Sequence, residues 1–201
     1  MFSILRIILW LILSICIVLI IRKSKCRRKK FLSIASVVLC AVLVSVSGMF
    51  PVENLFISFQ SPESAFHYFE FGKIQEIIYG QESCLVIYDD GNSTYGYNII
   101  PKTETGYKIP SYFEMKKVSH KFDKQGAFDI YNAQGTQDYY VVATVNQKEF
   151  GNDISVFNAA GEKIDSSVIR IENTNFFFFW LSDFSNGYYL RINGEEIALS
   201  D

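Results

Sequence analysis

Residues 22–30 read RKSKCRRKK, and seven of these nine residues are basic. This segment separates two parts of the chain that differ in charge. An apolar run of twenty residues lies on each side: residues 2–21 contain one charge, Arg6, and residues 31–50 contain none. An α-helix rises about 1.5 Å per residue, so each run is long enough to cross the roughly 30 Å hydrocarbon core of a bilayer. The pattern predicts a transmembrane helical hairpin over residues 1–50, with spans at about 2–21 and 31–50.

The loop at 22–30 also predicts how this hairpin is oriented. Short loops rich in Lys and Arg stay cytoplasmic, which places everything after Pro51 outside. Arg6 lies near the end of its span, where its side chain can reach the headgroups. We therefore expect a multi-pass protein of the cell membrane with an extracytoplasmic C-terminal domain. One alternative stays open: cleavage near residues 45–47 would make the second run a signal sequence and release the domain.

The charge and cysteine content of residues 51–201 limit the possible partners. This part contains 11 of the 19 Lys and Arg residues and all 21 Asp and Glu residues, a net charge of −10. Such a domain repels phosphates, so we expect no nucleic-acid partner. Cys84 is its single cysteine, which excludes an internal disulfide and is typical of a bacterial envelope protein. We expect Cys84 to be a buried apolar residue; a reactive thiol is the alternative.

The part after the hairpin is predicted to begin with a linker at 51–60 and to continue as one β-rich domain at 61–201. Ser61-Pro62-Glu63 is a helix start, because Ser caps, Pro fits the first turn and Glu meets the positive end of the helix dipole. Gly72 is the expected end of this short helix.

After Gly72 the hydrophobic period changes to two, which indicates β-strands. Asn193-Gly194 predicts a tight turn that pairs the strand before it with the strand after it. We expect a mainly-β antiparallel domain, folded as a sandwich or a barrel-like meander, with one short helix. The expected strands are 73–79, 84–88, 94–100, 114–122, 127–132, 139–146, 154–158, 168–172, 176–182, 188–192 and 197–199.

The segment Phe176–Leu181 reads FFFFWL and is apolar at every position. Our interpretation is a central strand covered on both faces; a ligand platform or a membrane contact is the alternative. The many tyrosines of the domain favour core and cross-strand packing, although stacking on sugars stays open.

The sequence contains few candidates for catalytic, cofactor-binding or metal-binding residues. The two histidines, His67 and His120, have no metal-ligand partner at a recognisable spacing. The chain contains no GxSxG elbow, P-loop or dinucleotide-binding motif. The acidic groups Glu63/Glu70 and Glu195/Glu196 suggest no cleft, and 89–92 (DDGN) indicates a turn rather than a calcium loop. We therefore predict no catalytic, cofactor-binding or metal-binding residues and no cofactor.

Several short segments carry a resemblance to known sequences. They are SPESAF at 61–66, CLVIY at 84–88, IPK at 100–102, GYKIP at 106–110, DYY at 138–140 and YYLRING at 188–194. With these segments the chain resembles a group of uncharacterised membrane-anchored extracytoplasmic proteins of Gram-positive bacteria. The resemblance covers most of residues 60–200 and implies location and lineage. It implies no activity, because the shared segments are turn and strand signals.

These observations favour a membrane-tethered extracytoplasmic binding or interaction domain that is not an enzyme. Its expected partners are the lipid bilayer, through 2–21 and 31–50, and an envelope protein or cell-wall component. One alternative is an envelope hydrolase with His67 or His120 as general base. The other is an immunity or stress protein of the cell envelope.

Overall fold

The computed structural model describes most of the chain after residue 48 and short pieces before it. Every described residue from 12 to 49 is helical. Among the described residues, no helix is both long and apolar enough to cross a membrane. The described ranges are 12–19, 21–22, 31, 34–39, 41–42, 45, 49–91, 95–123, 126–145, 154–164, 169–170, 176–185, 187–192 and 194–199.

The predicted transmembrane helical hairpin is therefore not shown by this structure. Much of spans 2–21 and 31–50, and nearly all of loop 22–30, lies outside the described residues. The same holds for some predicted turn and strand positions, namely Asn92, Thr94, Asn146, Val168, Glu172 and Asn193.

The helix predicted after residue 60 is present. A 3-10 turn at Val52–Leu55 precedes it, and the helix itself, α1, spans Pro62–Phe69. The Ser61 side chain accepts a hydrogen bond from the backbone N–H of Ser64 and caps its first turn. We expected the helix to end at Gly72. Its last residue is Phe69, slightly earlier, because Glu70 already has an extended backbone.

The rest of the described chain is antiparallel β-structure in three sheets, so the mainly antiparallel β prediction is confirmed. The first sheet has the order β1-β2-β3-β4, the second β10-β11-β7-β6-β5 and the third β13-β12-β8-β9. The strands are β1 Lys73–Tyr79, β2 Ser83–Asp89, β3 Tyr95–Thr103, β4 Gly106–Tyr107, β5 Met115–Asp123, β6 Gly126–Ala133, β7 Tyr139–Val145, β8 Ile154–Phe157, β9 Lys163–Ile164, β10 Ile169–Arg170, β11 Phe176–Leu181, β12 Tyr189–Ile192 and β13 Glu195–Ala198.

A simple meander describes only part of this topology. Sequence neighbours pair within β1–β4 and within β5–β7, but β11 then pairs with β7, and β12 pairs with β8. The predicted hairpin around Gly194 is confirmed, since Leu190 faces Ile197 and Arg191 faces Glu196. Two-residue strands such as β4 and β9 were not predicted, because so short a segment shows no measurable alternation.

The sheets stack in layers around the second sheet. One face of the second sheet packs on the third through side chains such as Phe128, Phe179 and Leu190. Its other face packs on the first sheet, where Leu85 and Phe178 are fully buried. The far face of the first sheet is covered by α1.

The strand β11 confirms the interpretation of its apolar sequence. Phe177, Phe179 and Leu181 belong to the core shared with the third sheet. Phe178 lies in the core shared with the first sheet, and Trp180 packs against that core. Because successive side chains of a strand point to opposite faces, a strand between two packed layers is apolar throughout.

Candidate functional site

A buried carboxylate, Asp138, lies just before β7 and joins two sheets. One of its oxygens accepts the backbone N–H of Gln81 and the indole N–H of Trp180, each at 2.9 Å. The other accepts the backbone N–H of Glu82 at 2.8 Å and the Ser83 hydroxyl at 2.7 Å. A buried charge is tolerated when its oxygens are satisfied in this way.

The side chains around Asp138 are closely packed. The Tyr140 hydroxyl lies 2.9 Å from the Ser83 hydroxyl and extends the network, and burial raises the pKa of Tyr140 above its ordinary value. A Cβ atom at Gly80 would lie 2.6 Å from both Asp138 and the Tyr140 hydroxyl. This network therefore holds the β1–β2 turn against the second sheet and has a structural role.

A second group of titratable side chains lies on the neighbouring strands β5 and β6 and on β3 of the first sheet; of its members, Lys117 and His120 are exposed. Asp129 accepts from the Lys117 ammonium at 2.8 Å, and the same oxygen lies 2.6 Å from His120 Nδ1. The Tyr131 hydroxyl donates to the other oxygen at 3.4 Å and lies 2.9 Å from the Tyr97 hydroxyl. We call these five residues the β5–β6 patch.

A β-bulge assembles the patch. Lys117 and His120 are three residues apart, so in a regular strand their side chains would point to opposite faces. The pairing register shifts between Lys117 and Ser119, after which His120 lies opposite Asp129. An extra residue in one strand has this effect, and the bulge therefore puts the Lys117 and His120 side chains on the face of Asp129.

The electrostatics of the patch favour an ionised carboxylate beside neutral tyrosines. Burial alone would raise the pKa of Asp129, but the hydrogen bonds from Lys117 and His120 outweigh it, so this pKa lies below its ordinary value. Burial and the mutual hydrogen bond raise the pKa of Tyr97, and burial raises that of Tyr131. The patch thus offers the exposed Lys117 ammonium and the exposed His120 imidazole to a partner.

The patch lacks an obvious nucleophile. Ser119 is the nearest serine along β5, but its hydroxyl donates to the backbone oxygen of Leu199 at 2.8 Å. That contact lies on the opposite face of the sheet, because Ser119 pairs with Ile130 of the other core. Lys117 and His120 both contact the same carboxylate oxygen of Asp129.

The other residues considered from the sequence are dispersed. His67 is exposed on α1 and packs on the Phe66 ring with 5.3 Å between centroids. Glu196 pairs with Arg191 at 2.6 Å across β12 and β13. Glu70 lies beyond the end of α1 and accepts from the N–H of Phe71.

The remaining candidates are structural as well. Asp89 accepts from the backbone N–H of Gly91 at 2.8 Å, as expected for a turn. Cys84 is fully buried, and burial raises the pKa of its thiol to about 12. In the described part of the chain no three His, Cys, Asp or Glu side chains are grouped so as to hold a metal ion.

His120 could be selected from the sequence as a candidate, but its partners Lys117 and Asp129 could not. A bulge has no reliable sequence signal, and β6 pairing was needed to bring Asp129 opposite His120. Asp138 was noticed only as part of DYY. Its four donors come from the β1–β2 turn, from the first residue of β2 and from β11, and no local pattern points to them.

Fold and site together define a layered, mainly antiparallel β protein whose described residues include the β5–β6 patch and a buried structural carboxylate. No protein-family model, no curated protein and no solved structure matches this chain. The resemblance to membrane-anchored extracytoplasmic proteins of Gram-positive bacteria therefore stays a prediction.

Proposed function

We propose that this chain is a membrane-tethered extracytoplasmic domain that binds a component of the cell envelope and catalyses no reaction. The observation that carries the proposal is the division of the sequence at residues 22–30. Seven basic residues lie there between two apolar runs, and the part after residue 50 has a net charge of −10. Positive loops are retained in the cytoplasm, which directs the β-rich part outward.

The β5–β6 patch is the surface that we propose for the envelope partner. Its Lys117 and His120 side chains are exposed in an otherwise acidic domain. Lys116 and Lys121 lie on the same edge strand but pair with Asn132 and Phe128, on the opposite face of the sheet. A partner that presents anionic groups fits this surface by charge complementarity.

Cysteine labelling in intact cells tests the tether and its orientation. The introduced cysteine of Phe122→Cys, on an exposed position of β5, should react with a membrane-impermeant maleimide from outside. Cys26, in the basic loop, should react only after the cells are permeabilised. The reverse pattern, or release of the protein from membranes by alkaline carbonate, would contradict the proposal.

Photo-crosslinking tests the binding surface. Val118 is exposed beside the patch, and a photoreactive amino acid there should form an adduct that disappears in the Lys117→Ala/His120→Ala variant. The matched control carries the same group in place of Tyr79, which is exposed on β1. Identical adducts from both positions, or none from position 118, would contradict a partner at the patch.

An envelope hydrolase is a second candidate, and the contact of His120 with Asp129 at 2.6 Å favours it. A carboxylate at this distance orients an imidazole for general-base catalysis, here with water as the nucleophile. The full-length protein would then release soluble fragments from labelled cell walls. His120→Ala should abolish the release and His67→Ala should not. Absence of release by the unaltered protein would reject this candidate.

A further inference from the structure

We propose that an exposed apolar surface at the start of the β-rich domain inserts into the lipid–water interface and seats the domain on the bilayer. This inference rests on the proposed membrane tether. The surface, which we call the base patch, consists of Met49, Phe50, Leu55, Phe56, Tyr112 and Phe113, all of which are exposed.

The base patch lies on two segments that are bonded to one another. The backbone N–H of Tyr112 donates to the oxygen of Met49 at 3.0 Å, and the rings of Phe50 and Phe113 lie 5.7 Å apart. The residues that follow Phe50 are therefore held beside the loop between β4 and β5. The patch belongs to the folded domain and is not a loose tail.

The 3-10 turn that carries Leu55 and Phe56 is fixed in the same way. Asn54 exchanges two hydrogen bonds with the backbone of Ile109, at 2.8 and 2.9 Å. The Lys108 ammonium donates to the backbone oxygens of Asn54 and Ile57, at 2.8 and 2.9 Å. A side chain at the tip of such a turn keeps its position relative to the domain.

The exposure of these side chains has no explanation within the described fold. Leu55 is 79 % exposed, Phe56 87 % and Tyr112 78 %. Single exposed apolar residues are ordinary, but a group of them on adjacent segments indicates an interaction surface. Removing large apolar side chains from water is favourable, so this surface can associate with an apolar partner.

The bilayer is the occupant that we propose, because the patch is covalently continuous with the uncharged run 31–50. Phe50 ends that run, so a span there would bring the patch to the membrane surface. Aromatic side chains, Tyr in particular, are enriched at the lipid–water interface, where their apolar rings and polar tips both find partners. Four of the six side chains in the patch are aromatic.

Fluorescent labelling of the full-length protein in vesicles tests this inference. The background carries Cys16→Ala, Cys26→Ser and Cys40→Ala, while the buried Cys84 stays. Single cysteines from Phe56→Cys and Tyr112→Cys receive an environment-sensitive fluorophore. The control is Phe122→Cys, because Phe122 is 75 % exposed and lies seven residues after Met115 on β5, about 23 Å along the strand from the loop that holds Tyr112.

The vesicles contain phosphatidylethanolamine and phosphatidylglycerol, with or without bromine on the acyl chains. We expect labels at positions 56 and 112 to emit at shorter wavelength and to lose intensity with brominated lipid, whereas the label at position 122 does neither. Bromine quenching of the tryptophan emission reports insertion of the tether itself, because Trp10 lies in the first predicted span whereas the other tryptophan, Trp180, lies on β11 of the folded domain.

The measurements distinguish failure of the proposed membrane tether from failure of the proposed base patch. If Trp10 is quenched but positions 56 and 112 behave like position 122, the tether stands and the base patch is overturned. If Trp10 is not quenched, the tether is overturned and the base patch with it. Contact between copies of the chain would give a blue shift without bromine quenching, which also overturns the bilayer as the occupant.

Discussion

Asp138 shows how one residue can hold distant parts of a fold together. Its carboxylate binds the backbone of Gln81, 57 positions earlier in the chain, and the indole of Trp180, 42 positions later. Charge-assisted hydrogen bonds of this kind are stronger than neutral ones, and each buried donor that loses its acceptor incurs the desolvation penalty.

The first prediction concerns Asp138→Asn. An amide accepts through one atom only, so one pair of donors would face its NH₂ group. We expect the free energy of unfolding to fall by about 2 to 3 kcal/mol, because a buried N–H loses its acceptor. Urea unfolding of the full-length protein in mild detergent, followed by Trp fluorescence, measures the change. The control Glu104→Gln removes the same charge from an exposed loop and should change stability little. Equal stability of the two variants would contradict the structural role of Asp138.

The second prediction concerns the pH dependence of Asp129. Its lowered pKa means that the folded state favours the carboxylate, so the stabilisation is present above the unfolded pKa of about 3.9. It is lost as the pH falls through the folded value. NMR titration of the carboxyl group should show the lowered pKa, and Lys117→Met should raise it.

A neighbouring lysine provides the control for that titration. Lys116 lies one position before Lys117 on β5. It pairs with Asn132, on the face of the sheet opposite to Asp129. Lys116→Met removes the same charge without removing a hydrogen bond to Asp129, so it should move the pKa much less. Equal shifts in the two variants would mean that net charge, and not contact, sets the Asp129 pKa.

At the scale of elements, β5 is the edge strand of the second sheet and combines two features that discourage pairing with another chain. Its bulge interrupts the regular hydrogen-bond pattern, and Lys116, Lys117 and Lys121 place charge along it. Edge strands protected in this way resist edge-to-edge aggregation. Of these three lysines, Lys117 also belongs to the proposed binding surface.

The third prediction concerns the 3-10 turn before α1. Asn54→Ala removes both hydrogen bonds to Ile109, so this turn should open more often. We expect faster amide exchange at Ile109 and Ile57 and a loss of about 1 to 2 kcal/mol in the free energy of unfolding. Hydrogen-exchange mass spectrometry resolves this segment from the rest.

The exposed amide Gln75, on β1, supplies the matched control for that variant. Gln75→Ala also truncates an amide side chain, and exchange at Ile109 should stay unchanged. Unaltered exchange in Asn54→Ala would show that the turn is held by other contacts, such as the Lys108 ammonium.

At the scale of the whole molecule, the layers explain why both faces of β11 are apolar. The fourth prediction is that Phe178→Ala and Phe179→Ala each lower the free energy of unfolding by about 3 to 5 kcal/mol, because each leaves a cavity in a different core. Phe122→Ala, at an exposed position, should change it by less than about 0.5 kcal/mol. Chemical denaturation measures all three. Tolerance of either buried change would contradict a sheet covered on both faces.

Much of the fold could be predicted from the sequence, because it depends on local patterns. The alternation of apolar residues located β1 without error, and Asn193-Gly194 located the β12–β13 hairpin. The pairing of β7 with β11 could not be predicted, because it joins segments separated by three other strands. The site was largely missed for the same reason: Lys117 and Asp129 meet only through strand pairing, and most donors to Asp138 reach it only through the packing of two sheets.

The sequence by itself determined the charge division at residues 22–30, the antiparallel β character and the double-faced strand β11. Each follows from composition or from a periodicity of a few residues, which the backbone geometry imposes directly. Only the tertiary structure decided the stack of three sheets, the acceptor role of Asp138, the bulge at β5 and the exposed base patch. These depend on contacts between residues that are far apart in the chain, and a local pattern carries no information about which distant partner satisfies a given donor or covers a given ring.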